Sequence, residues 1–322
     1  MTIVSYAPEQ IKEAASVIQK GNLVAFPTET VYGLGADATC DAAVAKIYEA
    51  KGRPKFNPII SHLSSTDEAF EIGVFSSIAR DLAMKFWPGP LTLIIQRAPN
   101  CPISWLASAG LETIGIRVPN HPVALELLRL AKLPIAAPSA NLSGSISPTH
   151  SKHVEQEFDD RIKIILEGGN CEVGLESTVL DLSGVQPAVL RPGKITKENI
   201  EELIGPITQA NEKTVVSSPG MLSSHYAPKS LLRLNAESLR EGEAFLGFGQ
   251  ICYSPFPNLS PQGDLAEAAA NLFHLLREID KTEPRCIAVA PIPCHGLGTA
   301  INDRLNRAAA PRQTSYPVDR EC

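Results

Sequence analysis

The chain has 322 residues, of which 44% are hydrophobic and 20% are charged, and these fractions are typical of globular proteins and exclude a disordered chain. This length exceeds the size at which one hydrophobic core normally stops growing, so we expect two domains. The formal net charge of −6 argues against broad, non-specific binding to nucleic acid, which depends on an excess of Lys and Arg.

Helices and strands alternate from the start of the chain. A helix is predicted to begin at Pro8 and to end before Gly21, because Pro suits a first helical turn and Gly a helix end. A short buried strand follows at 23–26. Asp41 is predicted to cap a second helix that Gly52 closes, so that the cations near Gly52 lie at the helix exit.

The rest of the chain divides into three parts. Strands are predicted at 59–60, 91–96, 113–118, 133–137, 162–166, 177–182 and 188–191, with helices from Ser76 to Trp87, from Pro122, and over 197–204. This alternation predicts an α/β domain with a mixed sheet over residues 1–205. Residues 206–228 are rich in Pro and Ser and lack regular apolar spacing, which predicts an extended linker. A smaller α/β domain is predicted over 229–322, with strands at 231–234, 244–248 and 286–290 and helices at 265–279 and 299–309.

No segment has about 18 uninterrupted apolar residues, and the first residues carry no basic segment, so we expect a cytoplasmic protein that does not associate with membranes. Seven Cys are scattered without a CxxC pair, which favours reduced thiols over disulfides or a structural zinc site. No dedicated metal site is predicted.

Two turns in the first hundred residues carry polar groups that suit an anionic ligand. One turn is Pro27-Thr28-Glu29-Thr30, and the other, at 51–55, interleaves Lys51, Arg53 and Lys55 with Gly and Pro. Turns held by Pro and Gly often carry binding residues. An alternative for the cations is a solvated helix end that interacts with the helix dipole.

Common nucleotide-binding motifs explain these turns poorly. A P-loop is absent, since Pro192-Gly193-Lys194 is followed by Ile195 and no Gly stands five residues before Gly193. The short Gly patterns at 33–35 and 296–298 match part of a dinucleotide fingerprint. The first of them follows a polar turn rather than a strand.

A second polar cluster follows the strand predicted at 133–137. Ser139, Asn141 and Ser147 expose hydroxyl and amide groups around one turn, which suits a ribose or a phosphate; a plain surface loop is the alternative. Periodicity alone places Arg117 and the polar residues at 176–178 and 191 on outward-facing strand positions. A lone His62 after a strand is more often structural than a ligand.

Taken together, these segments resemble the threonylcarbamoyl-AMP synthase family with its YrdC-like catalytic domain. The matching strings, in order, are PTETVYGLGADA, AKGRPKFNPIISH, FWPGPLTLI, TIGIRVPNHP, PIAAPSANLSGSISPT, LESTVLDLSG, LRPGKI and, in the linker, SPGMLSSHYAPKS. The resemblance implies a YrdC-like twisted mixed sheet with helices and, as in two-domain members, a smaller C-terminal Rossmann-like α/β domain.

The resemblance also implies an activity and a set of site residues. ATP, L-threonine and bicarbonate would form threonylcarbamoyl-AMP and pyrophosphate, for the threonylcarbamoyl modification of adenosine in tRNA. The implied residues are Lys51 and Arg53 for catalysis; Arg53, Asn57, Thr113, Ser139, Asn141, Ser147, Arg191 and Tyr226 for ATP; and Thr30, His62, Arg117, Ala137 and Ser177 for threonine. Tyr226 lies in a linker segment that would close over the nucleotide as a lid.

The chemistry of the residues agrees with this resemblance. Attack of a threonine carbamate on the α-phosphorus of ATP needs alignment and cations more than a covalent catalyst. Arg117 can bind a carboxylate through two parallel hydrogen bonds. We expect Mg²⁺ to bind mainly through the ATP phosphates. A downstream tRNA threonylcarbamoyl-transferase would take the product, and direct tRNA binding is allowed but not required.

Two other classes of function stay open at this point. A non-catalytic RNA-binding module would also use a concave basic surface, but it would release no pyrophosphate. A nucleotide-dependent enzyme that carbamoylates a different amine would accept other amino acids in place of threonine.

Overall fold

The computed structural model describes residues 2–158, 161–209 and 225–311, which form two α/β units with separate sheets. The prediction of a mixed α/β fold with a smaller second unit is confirmed. Residues 210–224, which make up most of the predicted linker, lie outside the described part of the chain. None of the described helices is long and apolar enough to cross a membrane.

The first unit contains a large mixed sheet and seven helices among the described residues. Its elements are β1 (Thr2–Val4), α1 (Pro8–Gln19), β2 (Val24–Phe26), β3 (Gly33–Asp37), α2 (Asp41–Lys51), β4 (Ser61–His62), α3 (Thr66–Ile72), β5 (Gly73–Val74), α4 (Ser77–Phe86), β6 (Leu91–Arg97), β7 (Thr113–Arg117), α5 (Pro122–Ala131), β8 (Ile135–Ala136), α6 (Ser151–Phe158), β9 (Ile164–Leu166), β10 (Thr178–Asp181), β11 (Ala188–Arg191), α7 (Lys197–Ile204) and β12 (Thr208–Gln209).

The strands of this sheet follow the order β1-β9-β2-β3-β8-β4-β7-β6-β10-β11-β12, and β5 pairs with β6. Neighbours pair in both directions: β4 runs parallel to β7, whereas β4 and β8 are antiparallel. One apolar cluster, which includes Leu34, Ile47 and Leu93, forms the main core, and α1 and α5 pack together over a second cluster. The short strands β8, β4 and β7 therefore occupy the middle of the sheet.

Local signals in the sequence account for most of the helix boundaries. Ser76 accepts a hydrogen bond from the N–H of Ala79 and so caps α4 as predicted. Gly52 ends α2 with a φ of 58°, a left-handed conformation that Gly adopts without steric cost. The predicted Asp41 cap is wrong. Asp41 is the first residue of α2 and accepts a hydrogen bond from the Ser104 hydroxyl instead.

Some short elements differ from the prediction. The strand expected at 59–60 lies two residues later, as β4, because Ser61 pairs with Ala136 and with Ile116 of the flanking strands. The helices α3 and α6 and the strands β1, β3, β5 and β12 were not predicted, although α3 carries a local signal: its N-cap Ser65 accepts a hydrogen bond from the N–H of Glu68. For the short strands, tertiary pairing decides the structure more than the local pattern does.

The second unit is a three-stranded parallel sheet covered by two helices. Its elements are β13 (Leu231–Arg233), β14 (Glu243–Leu246), α8 (Leu265–Asp280), β15 (Cys286–Val289) and α9 (Leu297–Ala309), with the strand order β13-β15-β14. Its apolar core extends to Val31, Ile146 and Leu175 of the first unit. The two units thus share buried surface.

Candidate active site

A small cavity lies over the middle strands of the large sheet, where the two units meet. It is lined by Thr28, Thr30, Val31, Gly33, Arg53, Ile60, His62, Arg117, Ala137, Pro138, Ser139, Glu176, Ser177, Arg191, His225 and Tyr226. Its volume of about 40 Å³ holds a few water molecules but no nucleotide, so a larger ligand enters only after a wall moves. Three arginines and one carboxylate line it, which makes it a site for anions.

Arg117, at the end of β7, is held by three groups of its own unit. Its Nη1 donates to the Thr30 hydroxyl at 2.9 Å, and its Nε donates to the carbonyl of Gly89 at 3.2 Å. Its Nη2 lies 2.7 Å from a carboxylate oxygen of Glu29, and both side chains are buried. Glu29 therefore holds the Arg117 guanidinium in one orientation at the cavity wall.

Thr30 is itself fixed by a compact turn. The Thr28 hydroxyl donates to the carbonyl of Val31 at 2.7 Å and lies 2.8 Å from the Thr30 hydroxyl. The same oxygen accepts the N–H groups of Thr30 and Val31. Such local hydroxyl-to-backbone bonds are why a Thr-rich segment after a strand forms a rigid turn here.

His62 ends β4 and is buried at the cavity wall. Burial, and then the charge of Arg117, lower the pKa of His62 to about 3, so the imidazole is neutral at physiological pH. Its Nδ1 has no hydrogen-bond partner among the described residues. A buried polar atom without a partner is costly, which favours a ligand contact over the purely structural role that a lone His suggests.

Lys51 and Arg53 are buried, so a solvated helix end is wrong for these two cations, whereas Lys55 is exposed. Lys51 is 2% exposed and Arg53 7% exposed. Arg53 lines the cavity; its Nη2 donates to the carbonyl of Pro58 at 2.8 Å and its Nε to that of Asn57 at 3.2 Å. Burial lowers the pKa of Arg53 to about 10, which still leaves it charged.

Lys51 lies behind the cavity rather than in its lining. Its ammonium donates to the carbonyl oxygens of Ser139, at 2.5 Å, and of Asn141. Burial, and then the charge of Arg53, hold the pKa of Lys51 well below its usual range. In this geometry Lys51 fixes the Ser139 turn, one wall of the cavity.

The other residues that the sequence suggested for ATP lie in the cavity lining, beside it or, for Thr113, farther along β7. Ser139, Arg191 and Tyr226 line the cavity together with Arg53. Asn57, Asn141 and Ser147 are buried close to its walls, and the Asn57 amide has no partner among the described residues. Thr113 starts β7, four residues before Arg117, which places it about 13 Å along the strand. Its contact with ATP stays a prediction.

All five residues suggested for threonine converge on the cavity. Each of these residues lines the same space, and they come from five different strands or the loops beside them: Thr30, His62, Arg117, Ala137 and Ser177. The sheet therefore brings together side chains that are up to about 150 residues apart.

Arg117, Ser177 and Arg191 were expected on outward-facing strand positions, and that expectation is wrong. Each is less than a tenth exposed, and all three line the cavity, one wall of which is formed by His225 and Tyr226. Arg191 donates to the carbonyl of Ser177 at 3.0 Å and to its hydroxyl at 3.1 Å. The Ser177 hydroxyl in turn lies 2.8 Å from that of Thr92.

Glu176 is the carboxylate of the cavity wall, and sequence reasoning gave it no role. It accepts hydrogen bonds from the Ser147 hydroxyl and from Nε of Arg304, the latter at 2.9 Å. Burial works against its charge, but Arg304, Arg191 and the Ser147 hydroxyl outweigh burial and lower the pKa of Glu176 to about 2. Its position next to Ser177 was the one feature of the sequence that could have indicated a role for Glu176. Its contact with Arg304 spans 128 residues and has no local sequence signal.

His225 and Tyr226 form the wall that belongs to neither sheet. Tyr226 is 1% exposed, has a φ of 63°, and its ring stacks on Phe273 of α8 at 5.5 Å between centroids. Burial, and then the charge of Glu176, raise the pKa of Tyr226 to about 12. Its hydroxyl and the Nδ1 of His225 have no partners among the described residues.

Buried polar atoms without hydrogen-bond partners are concentrated at this site. In the described ranges they include side-chain atoms of Asn57, His62, Asn141, His225 and Tyr226, all in or beside the cavity. Native structures leave few such atoms, and those that occur call for an explanation. The simplest explanation is a polar ligand that these atoms contact.

A possible metal-binding group lies outside the cavity. His153, His274 and Glu278 bring one ligand atom each within 4.8 Å of one another. The Nδ1 of His153 accepts the N–H of Thr149 at 3.2 Å, so its Nε2 carries the proton and points to Nδ1 of His274, 3.4 Å away. The pair is therefore satisfied as a His-to-His hydrogen bond.

Comparisons with known proteins cover nearly all of the chain. A family model described as "Telomere recombination" matches residues 16–193, and one described as "Threonylcarbamoyl-AMP synthase, C-terminal domain" matches residues 195–310. The threonylcarbamoyl-AMP synthase of Bacillus subtilis is 42% identical, over 94% of each chain. That of Pyrococcus abyssi is 38% identical, over 97% of this chain and 99% of its own. The crystal structure of P. abyssi Sua5 complexed with L-threonine superposes with a TM-score of 0.89 at 37% identity, and covers 96% of this chain and 98% of that one.

Proposed function

The chain belongs to the threonylcarbamoyl-AMP synthase family, and on that premise we propose that it forms threonylcarbamoyl-AMP and pyrophosphate from ATP, L-threonine and bicarbonate, as a nucleotidyltransferase. One observation supports this reaction most strongly. The side chains suited to threonine and those suited to ATP phosphates line one cavity, in a chain similar over its whole length to a threonine-bound structure.

The proposed reaction has two steps. The neutral amine of threonine combines with bicarbonate and releases water to give a carbamate. A carbamate oxygen then attacks the α-phosphorus of ATP, and the bond from that phosphorus to the β-phosphate oxygen breaks to release pyrophosphate. Both steps depend on holding anions close together, so the protein contributes mainly positioning and positive charge.

Threonine is proposed to bind where Arg117, Thr30 and His62 meet. The Arg117 fork suits the carboxylate, and Glu29 behind it keeps the fork aligned. The neutral His62 can exchange a hydrogen bond with the threonine hydroxyl without repelling Arg117. A Lys in place of Arg117 would keep the charge but lose the paired geometry.

ATP is proposed to bind on the side formed by Arg53, Arg191, Ser139 and Tyr226. Both arginines are buried and charged, and a buried charge acts on a phosphoryl oxygen more strongly than a solvated one. Because the cavity is too small for a nucleotide, the segment with His225 and Tyr226 must move as ATP enters. Closing again, it would shield the reactive adenylate from water.

The residues present fit Mg²⁺ only as an ion held by phosphates. Glu176 is the carboxylate in the cavity lining, and it is already paired with Arg304. When bound with ATP, Mg²⁺ would neutralise phosphate charge, with water molecules completing its shell. No protein carboxylate is assigned to it.

The product is proposed to serve the threonylcarbamoyl modification of tRNA in the cytoplasm, through a separate tRNA threonylcarbamoyl-transferase. Burial of the cationic side chains inside the cavity, rather than on an open surface, favours a small-molecule site over direct RNA binding. Direct tRNA contact is not needed for this step.

An omission assay tests the proposal. Purified protein with Mg²⁺ and ATP should release pyrophosphate only when threonine and bicarbonate are both present, and other amino acids should not replace threonine. Equal release without threonine, or release of orthophosphate, would reject the synthase. Activity with a different amine would instead point to another carbamoyl-transferring enzyme.

A further inference from the structure

Arg304 joins the second unit to the wall of the cavity without reaching the cavity itself. It lies on α9, is 1% exposed, and is among the largest fully buried side chains described. Its Nε donates to the Glu176 carboxylate at 2.9 Å, and its Nη1 donates to the carbonyl of Pro192 at 2.9 Å. Asp303 holds the same Nη1 at 2.7 Å. One guanidinium thus bonds to two segments of the first unit, one next to Ser177 and the other next to Arg191.

The pairing with Arg304 decides what the Glu176 carboxylate does to its neighbours. Glu176 also accepts from Ser147 and interacts electrostatically with Arg191, and both of these residues are proposed to contact ATP. If a neutral residue replaced Arg304, the buried Glu176 carboxylate would lose its closest cation and would bind Arg191 more tightly. Arg191 would then be less available to phosphate.

The same guanidinium supports the aromatic wall. The Cζ of Arg304 lies 5.4 Å from the ring centroid of Tyr226, and Phe273 stacks on that ring. The N–H of His225 donates to the carbonyl of Arg307, one helical turn after Arg304. The second unit therefore holds the segment that forms the nucleotide side of the cavity.

We propose that Arg304 is a positioning residue of the ATP site, through which the second unit orders Glu176, Tyr226 and, through Glu176, Ser147 and Arg191. This inference rests on the proposed function for the identity of the nucleotide. It gives the second unit a direct part in ATP binding and a smaller, indirect part in threonine binding, since Arg117, Thr30 and His62 are held within the first unit while Ser177 is bonded to Arg191.

The test compares Arg304→Gln with Arg233→Gln as a matched control. Arg233 donates from its Nε to Glu243 in the same unit at 2.8 Å; this pair is more exposed than that of Arg304 and lies outside the cavity lining. Arg304→Gln should raise the KM for ATP by about tenfold or more and change the KM for threonine by less than about twofold. Arg233→Gln should leave both within about twofold.

A double variant separates positioning from simple loss of structure. In Glu176→Gln/Arg304→Gln the unpaired buried charge is gone, so the KM for ATP should recover most of the loss. If Arg304→Gln does not fold, Arg304→Lys keeps the charge but not the fork, and the KM for ATP should rise by a smaller factor. Melting temperatures of all variants identify the folded ones.

Three results would overturn the inference: equal increases in both KM values, no recovery in the double variant, or a folded Arg304→Lys variant with normal ATP kinetics. Calorimetric titration of each variant with ATP alone keeps this test separate from the proposed function. A wild-type protein that binds ATP but makes no threonylcarbamoyl-AMP would reject the synthase, while the ATP affinities would still decide the role of Arg304.

Discussion

The two halves of the cavity are built in different ways. On the proposed threonine side, Arg117 is fixed by three residues of the first unit: Thr30, Gly89 and Glu29. On the nucleotide side, Glu176 and Tyr226 depend on α8 and α9 of the second unit. The threonine half is thus preorganised within one domain, whereas the nucleotide half is assembled from two. In the proposed binding mode, ATP enters through the nucleotide half.

Arg53→Ala should have the largest effect, because it removes a buried cation from the nucleotide half. We expect kcat/KM for ATP to fall by about 10²- to 10³-fold, as when one charge-stabilising donor is removed. Lys55→Ala is the matched control, since Lys55 belongs to the same motif but is exposed. Steady-state kinetics of both variants check this. A loss from Lys55→Ala as large as that from Arg53→Ala would contradict the assignment.

Arg117→Lys tests the threonine half. The KM for threonine should rise by about tenfold or more, because Lys cannot make the two parallel bonds, and the KM for ATP should change little. Arg191→Lys should show the reverse pattern. If Arg117→Lys raises the KM for ATP and leaves the KM for threonine unchanged, the ligands assigned to the two halves must be exchanged.

Tyr226→Ala tests the movable wall. Losing the ring removes its contacts with Phe273 and Arg304, so ATP affinity should fall several-fold and hydrolysis of the adenylate to AMP should increase. Tyr226→Phe keeps the ring and should stay closer to wild type. Calorimetry and AMP measurement decide this. Normal affinity and no extra AMP in the Ala variant would leave the segment a passive tether.

The smallest expected effect is on how the free energy of unfolding changes with pH. Burial lowers the pKa of both His62 and His225 to about 3. Below about pH 6.5 the unfolded chain takes up protons that the folded chain does not, so each histidine lowers the free energy of unfolding by up to about 1.4 kcal/mol per pH unit. His62→Gln and His225→Gln should each reduce the loss between pH 7.5 and pH 5.5.

Urea midpoints at the two pH values measure this slope. The two histidines lie in different halves, and equal changes in slope would show that both are buried and neutral. A slope that neither variant alters would mean that both histidines are exposed in solution.

Sequence reasoning predicted the fold, and it also selected five residues that the structure brings to one cavity, because the signals for both are local. Ser76, Gly52 and Pro122 mark helix ends, and motif strings fix Thr30, His62 and Arg117. It failed where the burial or the partner of a residue depends on segments that are distant in the sequence. Arg117 and Arg191 are buried at strand positions that periodicity alone places outward, and the Glu176–Arg304 pair joins segments 128 residues apart. Asp41 was misplaced because its partner, Ser104, is 63 residues away.

The central claim is that the threonine half is complete without the nucleotide. Calorimetric titration of L-threonine into the wild-type protein, with no ATP present, tests it most directly, with Arg117→Lys as the control. The account predicts one saturable binding event in the wild type that is strongly weakened in the control. Binding of threonine only after ATP is added, or equal binding by both proteins, would contradict it.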